Sequence, residues 1–217
     1  MKANRFFTTA IFSIIGVLAA AQPWMMRPQG PANEFSAMEG TSVLNYNLQM
    51  ERDIHSRAGY GPAFYIFPDS KLDNNQALEL AGKLDLVNII KEYGGRIMVV
   101  NPSSDKWQEQ DLENFRRLIG MGGSPTNVKV IGIGSGATFV NRHLAATDLT
   151  GVIAGIVSID GEPGKICKLP VPAFIGGKNA AKAAKPYQAT SDAAPADPLQ
   201  KVVVNTDKKA SLETLFA

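Results

Sequence analysis

The chain has 217 residues, 45% of them hydrophobic and 19% charged, an ordinary globular composition that supports one domain with its own core. The net charge of +2 comes from Lys2 and Arg5, and the rest of the chain carries 22 − 2 = 20 basic residues against 20 acidic ones. That balance excludes an electrostatic footprint for nucleic acid or an anionic membrane surface. Two histidines are too few for a His-based metal centre, and no CxxC, HExxH or EF-hand pattern occurs. Cys167 is the sole cysteine, so an intrachain disulfide is impossible, and it reads as a packed thiol.

Residues 1–21 read as a signal peptide. Lys2 and Arg5 begin it, Phe6 to Val17 form its apolar stretch, and Ala19-Ala20-Ala21 supply a small-residue cleavage site. The apolar stretch falls short of the ~20 residues needed to span a bilayer, and Pro23 and Pro28 follow soon after. The expected location is secreted or periplasmic, with no stable membrane insertion after cleavage. Residues 22–40, rich in Pro, Gly and small polar residues, read as a flexible lead-in to a single domain at 41–217.

Within that domain, Val43 to Met50 alternates as a half-exposed strand, whereas Ala63 to Phe67 is continuously apolar, as a central strand covered on both faces should be. Leu80, Leu84, Val87 and Ile90 predict a helix over 76–93, with Gly82 a potential break and Gly94-Gly95 its end. Ile97 to Val100 is a second buried strand, followed by a helix at about 108–120. Val128 to Ile131 is a third strand, then a glycine turn and a helix from Ala137 to Ala146. Further strands are expected at 152–159, 171–175 and 202–204, with a surface helix and loop across 178–198. A short helix begins at Ser211 and stops almost at once. Strands alternating with helices imply a mostly parallel sheet with helices on both faces.

The turn between Val128 and Phe139 is the most informative segment. One reading is a nucleophile elbow, a serine thrust out of a crowded strand-to-helix turn. Ser135 is its candidate, the backbone N–H of Gly136 is one oxyanion donor, and the loop after the strand at 63–67, around Asp69-Ser70, supplies the second. A second reading is a dinucleotide fingerprint: Gly132, Gly134 and Ala137 satisfy G-x-G-x-x-[GA], with Asp160 ending the next strand. A third is a tight turn without chemistry.

Glu92 to Pro102, Trp107, and the run VKVIGIGSGATFVNRHLA together resemble the secreted polyhydroxybutyrate-depolymerase-like and feruloyl-esterase-like branch of the α/β-hydrolases. The resemblance continues through Gly151 to Gly161 and Pro170 to Gly177. It implies an α/β-hydrolase-like fold and an exported serine esterase that needs no cofactor or metal. Its substrate would be a small-molecule or polymeric ester, attacked by Ser135 to form an acyl-enzyme. The family's acid should follow Phe174-Ile175-Gly176-Gly177, but Lys178-Asn179-Ala180-Ala181 carries no carboxylate. The next acids are Asp192 and Asp197, the possible catalytic acids. The histidine should come last, and none follows His143. His143 lies on the helix after Ser135, about 12 Å along the axis at 1.5 Å per residue, and reads as a packed side chain; His55 precedes the first central strand. Trp107 reads as a packing aromatic.

Three expectations stay open. The chain is incomplete at its C-terminal end and the histidine lies further on; it is a non-catalytic hydrolase-fold binding protein; or it is an exported dinucleotide-binding oxidoreductase.

Overall fold

The structure, a computed structural model, describes residues 26–28, 33–38, 40–50, 63–88, 96–121, 128–194 and 201–206. Among the described residues, nine strands form one sheet: β1 Met26–Pro28, β2 Asn33–Met38, β3 Thr41–Met50, β4 Ala63–Phe67, β5 Arg96–Val100, β6 Val128–Ile133, β7 Ile153–Ile159, β8 Ala173–Gly176 and β9 Val202–Asn205. The spatial order is β1-β3-β5-β4-β6-β7-β8-β9, with β2 also on β3. From β5 to β9 every neighbouring pair is parallel, whereas β3 runs antiparallel to β5. This is the mostly parallel sheet that the alternating pattern predicts.

The side-chain period of two divides the central strands between two cores. Tyr65 and Phe67 point to one face with Val130, Phe115, Phe139 and Ile156. Phe64 and Ile66 point to the other with Ile97, Val99, Ile131 and Ile133. Helix α1, Asn74–Lys83, covers the second face with Ala77 and Ala81. Helix α2, Asp111–Met121, covers the first, where Phe115 meets Tyr65 and Phe67 edge-on at centroid distances of 5.4 and 5.2 Å. The paired helices α4, Ala180–Ala183, and α5, Lys185–Ala193, lie on that same face through Ala180, Ala183 and Tyr187. Helices therefore occupy both faces.

One expectation changes. The predicted lead-in contributes β1 and β2, both antiparallel to β3. A ten-residue β3 presents unpaired N–H and C=O groups along its outer edge, and these two strands satisfy them. The helix predicted over 76–93 is broken in two, as Gly82 suggested: α1 ends at Lys83, a turn follows at Leu84 and Asp85, and helical residues resume at 86–88. Asp73 and Gln76 form a reciprocal capping box at its start. Leu84 closes it, and Asp85 takes a positive φ of 55° that no helix continues through. The short helix expected from Ser211 lies outside the described residues.

The register gathers the functional end. Phe67 pairs with Gly132, Gly132 with Ser158, and Ser158 with Ile175. The C-terminal ends of β4, β6, β7 and β8 thus stand level, and the segments leaving them meet along one edge. At the other end of β6, Lys129 is buried, and loss of water pulls its ammonium down to about 8.

Candidate functional site at the C-terminal edge of the sheet

Strand β6 runs directly into Gly134, whose φ of 55° and ψ of −118° lie where only glycine is comfortable. Helix α3, Ser135–Phe139, begins at the next residue and widens into a π-helical turn over Val140–Leu144. The Gly134 N–H donates to Ile159 O at 2.8 Å, and Gly134 O accepts from Thr138 N at 3.0 Å. Crowding explains the flanking residues. A Cβ on Gly132 would stand 2.6 Å from Ala137 Cα, and one on Gly136 would stand 2.1 Å from Phe67 O.

This geometry moves the expected elbow by one residue. The tip of the turn is Gly134, centred between Gly132 and Gly136, so both glycines of a G-x-S-x-G frame are present with glycine in the serine's place. Ser135, expected at the tip, is the first residue of α3. The N–H following the tip belongs to Ser135 and not to Gly136. The spacing of Gly132 and Gly136 about position 134 carries this signal in the sequence; Ser135 drew attention away from it.

The loop leaving β4 closes over the turn. Ser135 N donates to Asp69 Oδ1 at 2.6 Å, and Ser135 Oγ donates to the Asp69 carbonyl. A Cβ on Gly134 would lie 2.2 Å from Asp69 Oδ1 and 2.6 Å from its Cγ, so the Asp69 carboxyl group fills the volume of the missing elbow side chain. Ser70, expected to help form the oxyanion hole, is exposed beside it; Asp69 is the residue that reaches the turn. Both ends of this loop are held. Trp107 Nε1 donates to Pro68 O at 2.8 Å. Asn101 Nδ2 donates to Leu72 O at 2.8 Å while its Oδ1 accepts from Leu72 N at 2.9 Å. Trp107 also stacks on Phe139, with centroids 4.9 Å apart and planes at 26°.

Of the expected acids, Asp192 does not come to this turn. Asp192 is exposed in the last turn of α5. Two residues before it, Thr190 Oγ1 donates to Cys167 O at 2.6 Å, on the segment leading into β8. Asp192 therefore sits toward the opposite edge of the sheet. Asp197 and His55 lie outside the described residues. His143 is in the π-helical turn, its ring stacked on Phe139 at 5.5 Å. Cys167 is buried, and burial pushes its thiol pKa up.

Two other carboxylates do lie along the edge. Asp160 leaves β7 with a positive φ of 57°; its N–H donates to Gly176 O at 3.0 Å, and its Oδ1 accepts from Lys178 N at 3.2 Å. Glu162 Oε1 accepts from Asn179 Nδ2 at 2.9 Å. Among the described residues, no group of three or more His, Cys, Asp or Glu could hold a metal ion, and no helix is long and apolar enough to cross a membrane. For a dinucleotide, the Asp69 carboxylate stands on the N–H that a pyrophosphate would need, and the like charges would repel.

No protein-family model matches the sequence, and no curated protein matches it. Solved structures do match. An uncharacterised protein from Capnocytophaga ochracea superposes with a TM-score of 0.52 at 13% identity, over 85% of this chain and 60% of that one. The α/β-hydrolase MGS-M1, from a Medee basin deep-sea metagenome library, gives 0.48 at 16% identity, over 71% and 69%. Esterase 2 of Thermogutta terrifontis, phosphorylated by paraoxon, gives 0.49 at 11% identity, over 86% and 91%. At these identities the likeness is one of fold. With the sheet order above, the chain has a mostly parallel α/β fold with helices on both faces, shared with the Capnocytophaga ochracea protein.

Proposed function

We propose that this chain is an exported α/β-hydrolase-fold protein that engages ester or acyl ligands at the C-terminal edge of its sheet without forming an acyl-enzyme at the elbow. One observation carries the reading: the tip of the turn is Gly134, which has no side chain to acylate. Ser135, the residue the sequence nominates as nucleophile, donates its hydroxyl to the Asp69 carbonyl from the first turn of α3. A serine hydroxyl needs an adjacent base to attack a carbonyl, and among the described residues the one histidine, His143, is stacked on Phe139. The ester class of ligand is supported by the resemblance of residues 60–205 to secreted esterases, and export by the leader-like residues 1–21.

An acyl-enzyme announces itself as a burst of the first product. Mixing the protein with p-nitrophenyl butyrate under stopped flow should release no burst of p-nitrophenol, and Ser135→Ala should give the same trace. A burst equal to the protein concentration, abolished in Ser135→Ala, would restore the acyl-enzyme and overturn the reading.

A further inference from the structure

The geometry points to Asp69 as a built-in competitor at the elbow: its carboxylate holds the place that an incoming ester or carboxylate oxygen would take, and such a ligand is admitted only when the Asp69 side chain turns out. The inference rests on the ester-directed reading above and adds a device that regulates the same site.

The turn is built around this contact. Gly134 leaves room for the Asp69 carboxyl group, whose Oδ1 and Cγ lie 2.2 and 2.6 Å from where a Cβ would stand. Gly136 leaves room for the backbone of the same loop, with Phe67 O at 2.1 Å and Pro68 O at 2.5 Å from its own would-be Cβ. Any side chain at either position would push the loop away. Ser135 then grips Asp69 twice, through its N–H on Oδ1 and its hydroxyl on the carbonyl. Hydrogen bonds to a charged acceptor are the stronger kind, so the elbow N–H is committed to an internal anion.

The latch opens at the side chain and not at the loop. Trp107 holds Pro68 and Asn101 holds Leu72, so the backbone stays in place on either side. Asp69 itself is exposed, and rotation about its χ1 carries the carboxylate into water without uncovering the core. A ligand oxygen must displace the carboxylate from the N–H. A carboxylate ligand must also approach a like charge, so the competition is steeper for a carboxylate than for a neutral ester.

The test uses the full chain with sodium butyrate and methyl butyrate as probes, in the wild type, Asp69→Ala and Asp69→Asn. Affinities come from NMR titration, and the latch is followed through hydrogen exchange of the Ser135 amide. Asp69→Ala should speed that exchange and tighten butyrate binding by roughly ten-fold, the scale of one charge-assisted hydrogen bond. Its gain for methyl butyrate should be smaller. Asp69→Asn retains an acceptor but no charge, so its Ser135 exchange should stay near the wild type while butyrate binding improves. Asp69→Gly gives the same readings as Asp69→Ala if the alanine variant does not fold. Equal butyrate affinity in the wild type and Asp69→Ala, unchanged Ser135 exchange, or no binding in any variant overturns the inference. None of these outcomes produces a p-nitrophenol burst, so failure here is distinct from failure of the acylation reading.

Discussion

The edge that carries the site has two halves, and they keep the plan of a strand-turn-helix site to different degrees. Around β4 and β6 the backbone of a strand-turn-helix elbow is complete: Gly132 and Gly136 clear the turn, Gly134 takes its positive φ, and the loop after β4 lies against it. Around β8 and β9 the strands are in register, yet the segment after Gly176 offers Lys178 and Asn179 where an acid is expected, and Asp192 is carried away at the end of α5. The elbow half has the architecture without the nucleophile. The other half has the strands, with the Asp160 and Glu162 carboxylates bonded to Lys178 N and Asn179 Nδ2. Backbone crowding explains the contrast: the glycines are required by packing whatever chemistry is present, whereas a catalytic side chain is required only by the reaction.

Substitutions can break or sharpen that comparison. The largest effect is expected for Gly136→Ala, whose new Cβ meets backbone oxygens of Phe67 and Pro68, not a flexible side chain. Overpacking of this kind should cost ~3 kcal/mol, measured by chemical denaturation. A variant as stable as the wild type would show that the loop after β4 is not seated on the turn.

Next comes Gly134→Ala, which combines backbone strain at φ 55° with a clash against the Asp69 carboxylate. We expect a loss of about 2 kcal/mol. The strain belongs to position 134 alone, while the clash belongs to the pair. Asp69→Ala in the same background should therefore recover about 1 kcal/mol, a coupling read from a double-mutant cycle. Additive losses would mean that the two residues do not share the volume.

The smallest effect is assigned to the other half. Asp192→Asn, at an exposed position far from the elbow, should change stability by less than ~0.5 kcal/mol and leave butyrate binding unaltered. A marked loss of binding would bring Asp192 back to the site and erase the difference between the halves.

The fold was legible where periodicity is strong. The continuously apolar run at 63–67 and the strands at 97–100, 128–131 and 202–204 all belong to the parallel sheet, and the Leu112-Phe115-Ile119 stripe marks α2. The helix over 76–93 was legible together with its interruption near Gly82, which the structure places at Leu84 and Asp85, before helical residues resume at 86–88. The strands at 26–28 and 33–38 were missed because their reason for existing is the edge of β3, a tertiary demand that leaves little mark on local composition.

The site was half legible. The glycine turn stood out, but its centre depends on a single φ value, and a serine beside three glycines pointed to the wrong residue. The loop at Asp69-Ser70 was legible as a neighbour of the turn, but nothing in sequence shows that the Asp69 carboxylate accepts from a residue 66 positions away. Only the parallel pairing of β4 with β6 brings the two together.

The central claim, that the elbow presents Gly134 and no activated nucleophile, is tested most directly by treating the folded protein with a fluorophosphonate probe and mapping adducts by mass spectrometry. The account predicts an unlabelled Ser135 at probe concentrations that label a control serine esterase completely. A stoichiometric adduct on Ser135, lost in Ser135→Ala, would contradict it and return Ser135 to the role of nucleophile.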